Sequence, residues 1–92
     1  MSIEKAVLKI LIERRKFLRM SREDVAKLVS KSTQIIYRIE ANSTSLTFDL
    51  FIKLCEVYNI QPSVVIEQAK SIISPIENKP VIPKTDTENL PN

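Results

Sequence analysis

The sequence predicts an all-α fold of five helices, and three observations predict it. Apolar residues recur at spacings of three and four from Ile3 to Ile73, the period of helices with one buried face. Residues suited to helix starts stand before the periodic stretches: Ser21, Ser32 and Thr47 as caps, Pro62 as a first-turn proline. Short polar breaks at 30–32, at 42–45 and around Asn59 separate the stretches.

The first helix is expected near residues 3–18, with Ile3, Val7, Leu8, Leu11, Ile12 and Leu18 facing inward. Lys5, Lys9, Arg14, Lys16 and Arg19 fall mainly off that face. The second begins after Ser21, whose hydroxyl can accept first-turn N–H groups while the Asp24 carboxylate reaches back to the Ser21 N–H. Met20 before this cap can pack on Val25 as a hydrophobic staple, and the helix continues through Ala26, Leu28 and Val29. Removing such a serine cap typically costs about 1 kcal/mol.

Ser32 is the natural cap of a third helix running from Thr33 to near Ala41. Ile36 and Ile39 point inward there, with Ile35 at the edge. Thr33, Gln34, Tyr37 and Arg38 share the other side, a face that can make specific polar contacts. Asn42 tolerates the left-handed conformation that closes a helix, and Asn59 has the same role after Tyr58. Thr47 caps the fourth helix and Asp49 favours its positive end. Its expected buried set is Phe48, Phe51, Ile52, Cys55 and Val57. The fifth helix runs from Pro62 to near Ser74, with Val64, Val65, Ala69, Ile72 and Ile73 as apolar points, and Pro75 stops it. Beyond it Pro80, Pro83 and Pro91 lie among polar residues without periodicity, so a domain is expected over 1–74 and a flexible tail over 75–92.

Size and composition narrow the function. A chain of 92 residues is one domain with a thin core. There is no histidine, no glycine and a single cysteine, Cys55, inside an apolar run where it reads as a buried structural thiol. A disulfide framework, a structural metal site, a glycine-rich phosphate loop and a catalytic constellation all lack their residues, so neither an enzyme nor a cofactor is expected. No run of 18 apolar residues exists, so no membrane partner is expected. The N-terminal stretch is charged throughout and does not read as a secretory signal, and a cytoplasmic setting is expected. The net charge of +3 is unevenly spread: residues 1–40 hold ten Lys or Arg against five Asp or Glu, while 41–74 and 75–92 are each at −1. A localised positive field attracts polyanions such as DNA.

Two short helices, 21–29 and 33–41, joined by a turn of three to four residues have the arrangement that presents a second helix to the major groove. The run Met20-Ser21-Arg22-Glu23-Asp24-Val25-Ala26-Lys27-Leu28-Val29, followed by Ser32-Thr33-Gln34-Ile35-Ile36-Tyr37-Arg38-Ile39-Glu40, resembles the lambda-repressor-like helix-turn-helix family of Cro-type and xenobiotic-response-element-type regulators. Leu46-Thr47-Phe48 with Leu50, Phe51, Lys53 and Leu54 resembles its fourth helix, and Asn59-Ile60-Gln61-Pro62 its link to the fifth. The resemblance covers residues 4–67 and implies a five-helix domain with an extended fifth helix. It implies that Ala26 is the small residue at a close helix crossing and that Arg15 pairs with Glu40 as a structural ion pair. It implies base contacts by Thr33, Gln34, Tyr37 and Arg38, where Gln suits adenine and Arg suits guanine. Arg22, Ser43 and Thr44 would contact phosphate, and Lys31 and Ser32 stand near the same backbone path.

Three departures from the family pattern are visible. Ser30, Asn42 and Asn59 stand where glycine is usual, Lys31 takes a usually apolar turn position, and the loop 42–45 has no Lys or Arg. Fewer phosphate charges imply weaker affinity and a shallower salt dependence. The apolar residues Val65, Ala69, Ile72 and Ile73 continue past the usual end of the fold and are expected to form a homodimer interface, the alternative being that they fold back over the chain's own core. The expected function is a sequence-specific, repressor-like transcription regulator that binds double-stranded DNA. The competing expectation is an antitoxin-like or partner-binding module that uses the same fold to hold a second protein.

Overall fold

The computed structural model of the chain describes residues 1–74. The described residues form five α-helices and no strand, in the order α1 (Ile3–Phe17), α2 (Arg22–Leu28), α3 (Thr33–Glu40), α4 (Phe48–Val57) and α5 (Pro62–Ile73). The tail expected over 75–92 lies outside the described residues.

Four of the five helix starts are closed by a side-chain oxygen. Ser2 accepts from the Lys5 N–H at 3.1 Å, Ser32 from Ile35 at 3.2 Å and Thr47 from Leu50 at 3.1 Å. At α2 the capping box is complete: the Asp24 N–H donates to Ser21 Oγ at 3.0 Å and the Ser21 N–H donates back to Asp24 Oδ2 at 3.1 Å. The Ser21 backbone N–H, then its hydroxyl, holds the Asp24 carboxyl below its ordinary pKa. The fifth start has Pro62 in its first turn and no side-chain cap.

The ends of α1 to α4 share one device. Arg19, Ser30, Asn42 and Asn59 each have φ between 53° and 59°, the left-handed region. At each, the N–H of this residue and of the next turns back onto the last helical turn. In α2 the Ser30 N–H donates to Lys27 O and the Lys31 N–H to Ala26 O, the Schellman pattern. Equivalent pairs close α1 (Arg19 to Lys16, Met20 to Arg15), α3 (Asn42 to Ile39, Ser43 to Arg38) and α4 (Asn59 to Glu56, Ile60 to Cys55). Glycine is the usual residue for this conformation, and the sequence has none.

All five helices feed one core, including Ala6, Leu8 and Leu11 of α1, Val25 of α2, Ile36 and Ile39 of α3, Leu54 of α4 and Val65 of α5. Each large aliphatic side chain buried this way contributes about 1.5–3 kcal/mol. The principal contacts pair α1 with α5 and α2 with α3. Arg14 of α1 fastens the end of α4, its Nε donating to Tyr58 O at 2.9 Å and its Nη2 to Asn59 O at 3.1 Å. A cation at these terminal carbonyls also suits the negative end of the helix dipole.

The structure corrects several expectations. Val65 and Ala69 are fully buried against their own chain, because α5 lies along α1, so they are not available to a dimer interface. Ile73 packs partly on the same core, and Ile72 alone of that expected set is exposed. Phe48, expected inside, is 76% exposed and Ile3 is also exposed. Both are first residues of their helices, where the side chain leans back toward the N-terminus and off the packed face. Tyr58, absent from the expected core, is buried at the end of α4. Burial, with the Glu40 carboxylate adding and Arg15 opposing, pushes its phenol pKa up. Cys55 is buried as expected, and burial pushes its thiol pKa up, so it stays protonated at neutral pH.

Candidate nucleic-acid interface

Helix α3 is divided lengthwise. Ile36 and Ile39 are buried, while Gln34, Tyr37 and Arg38 on the opposite face are exposed and Thr33 is half-buried. The inward face holds the helix rigidly on the domain, so the outward side chains are presented from fixed backbone. Among the described residues no carboxylate comes within ion-pair range of Arg38.

At the start of α3, Lys31 and Ser32 are exposed beside the positive end of the helix. The left-handed turn at Ser30 brings them there, reversing the chain between α2 and α3 within a few residues. At the other end, the Ser43 N–H and hydroxyl both turn to Arg38 O, at 2.9 Å and 3.1 Å. Those donors close α3, so a phosphate contact by Ser43 competes with its capping role. Thr44 is exposed.

Below this surface three charged side chains converge. Arg15 Nε donates to Glu40 Oε2 at 2.7 Å and Arg15 Nη2 to Oε1 at 3.0 Å, a bidentate pair tying α1 to the end of α3. The remaining Arg15 nitrogen, Nη1, donates to Met20 O at 2.9 Å. The two side chains are only 7% and 11% exposed. Arg22 joins them: its Nε donates to Glu40 Oε1 at 2.8 Å, and its guanidinium lies 4.2 Å from the centroid of the Tyr37 ring. Sequence reasoning treated Arg22 only as a phosphate contact and missed this partnership. Arg22 and Glu40 are 18 positions apart, and no local spacing rule links them.

The trio has two guanidinium groups on one carboxylate and carries a net positive charge. Arg22 is about one third exposed, and among the described residues nothing accepts from its two terminal nitrogens. Glu40 and Tyr37 hold the guanidinium in place and leave those donors free. The arrangement can bind an anion at the start of α2 and polar groups along α3. Among the described residues no three His, Cys, Asp or Glu side chains group to hold a metal ion. No described helix is long and apolar enough to cross a membrane.

A helix-turn-helix family model matches residues 11–65, more than half of the chain, from the middle of α1 into α5. No curated protein matched the chain, and no solved structure did.

Proposed function

From the premise that the chain belongs to the helix-turn-helix family and is a DNA-binding domain, we propose that it is a repressor-like transcription regulator whose homodimer inserts α3 into the major groove of a specific operator. The observation that carries this reading is the exposed face of Gln34, Tyr37 and Arg38 on a helix whose other face is sealed into the core. The major groove is about 12 Å wide and admits one helix, and a bidentate side-chain contact discriminates a base by about 1–3 kcal/mol. Gln34, Arg38, Thr33 and Tyr37 are the proposed base-reading side chains. Arg22, Lys31, Ser32 and Thr44 are the proposed phosphate contacts, with Ser43 kept mainly as the closure of α3.

Two-fold pairing suits this size of protein. One recognition helix makes few contacts, and a symmetric dimer reads two half-sites about one helical turn apart. The exposed apolar residues Val64 and Ile72, eight positions apart on one side of α5, support a dimer contact along that helix in place of the buried Val65 and Ala69.

Selection from a random duplex library, at a stated salt concentration, tests the reading with Gln34→Ala/Arg38→Ala as control. The expected outcome is enrichment of a palindromic site that the double variant fails to enrich. Weak binding without enrichment, equal in both proteins, rejects base reading by α3 and favours a protein partner instead.

A further inference from the structure

The loop 42–45 beside α3 has no basic residue, yet a line of lysines runs next to it on another helix. Lys5, Lys9 and Lys16 are exposed and share one face of α1, being four and seven positions apart. They line an open groove together with Ile12 of α1, Glu40 at the end of α3 and Asn42 of the loop. The loop is fastened to the start of α1 where the Leu46 N–H donates to Glu4 Oε2 at 3.0 Å. The lysines therefore border the C-terminal end of α3 and the start of the loop that follows it.

The acids in this groove leave its charge positive. Glu40 is already answered by Arg15 and Arg22. Glu13 is bound to Lys9 at 2.8 Å, but both side chains are more than half exposed, and exposed pairs of this kind are weak enough to exchange for another anion. The twelve residues from Lys5 to Lys16 span about 16 Å of helix axis. Phosphates on one DNA strand recur at about 3.4 Å along the duplex axis, so a stripe of that length can face several of them.

We propose that the Lys5, Lys9 and Lys16 face of α1 is a second phosphate-binding surface, which extends the duplex contact past the uncharged loop 42–45. The inference rests on the reading that α3 lies against a duplex. It assigns to α1 the sequence-independent attraction that a basic loop would otherwise supply.

The test is the salt dependence of binding to a short random-sequence duplex, followed by fluorescence anisotropy. The variant Lys5→Gln/Lys9→Gln/Lys16→Gln is compared with wild type and with Lys53→Gln/Lys70→Gln, which removes exposed lysines of α4 and α5 outside the groove. The stripe variant is expected to bind more weakly, with the slope of log affinity against log salt shallower by about 0.9 for each lysine that contacted a phosphate. The control is expected to keep the wild-type slope. An unchanged slope in the stripe variant overturns the proposal, as does an equal loss in the control, which would make the effect one of net charge. Circular dichroism of each variant checks that the fold is retained. Failure of base reading by α3 appears separately, as absence of enrichment in the library selection while the random-duplex slope still depends on the stripe.

Discussion

Glu40 accepts from two arginines of different helices with one carboxylate, and it sits at the end of the helix that carries the exposed polar face. Its partners set two positions at once. Arg15 fixes where α3 ends relative to α1, and Arg22 is laid across Tyr37 with its outer nitrogens free. Removing one member of a buried pair leaves a desolvated charge behind, which typically costs about 3–5 kcal/mol. Glu40→Gln is therefore expected to lower unfolding free energy by about 3 kcal/mol in urea titration, because Arg15 loses its counter-charge where water cannot replace it. A loss under about 1 kcal/mol would place the trio with solvent-screened surface pairs. The Arg15–Glu40 pair was legible through the family resemblance. The Arg22 contacts were not, since they depend on how closely the start of α2 approaches the last turn of α3.

The helices were legible nearly to the residue, because caps and period are local properties of the chain. Ser21, Ser32 and Thr47 compete successfully for the first N–H groups of their helices, and that competition involves only neighbours in sequence. The helix ends are less ordinary, since four left-handed positions are filled without glycine. The substitutions at 30, 42 and 59 were visible as departures from the family pattern; Arg19 was not, because nothing at that position marks a turn in the sequence. Asn tolerates the left-handed region through local hydrogen bonding, whereas Ser and Arg meet its steric cost of about 1–2 kcal/mol, partly offset on changing to glycine by the entropy glycine loses on folding. Ser30 is exposed and its hydroxyl makes no hydrogen bond among the described residues, so Ser30→Gly is expected to raise stability by about 0.5–1 kcal/mol in thermal or urea unfolding. A destabilised Ser30→Gly would mean that the turn between α2 and α3 is not strained as its φ implies.

The described residues close their core within one chain. Val65 and Ala69 of α5 are sealed against α1, so the fold has no need of a second copy to cover them. The proposed dimer then rests on residues outside that core, and association and folding become separable. Val64→Lys/Ile72→Lys is expected to yield a monomer in sedimentation equilibrium that remains folded, at a cost of about 1–3 kcal/mol in unfolding free energy because the two side chains, 41% and 38% exposed, are still largely covered by their own chain. Unfolding of the double variant, or a wild-type melting temperature that climbs with protein concentration, would show instead that the dimer sustains the fold. The charge distribution also belongs to this scale. The excess of basic residues in 1–40 falls on α1, α2 and α3 and the turns between them.

The number, order and near-boundaries of the five helices, the inward side of α3 and the location of the positive charge along the chain can all be read from residue order. These follow from periodicity, capping and composition, which act over a few residues or over none. Tertiary structure alone decided that α5 buries Val65 and Ala69 on α1, that Phe48 stays outside while Tyr58 goes in, and that Arg22 shares Glu40 with Arg15. It also brought the α1 lysines beside the loop after α3. Each of these depends on the distance and angle between helices far apart in the chain, and a helical period specifies a face without specifying what that face meets.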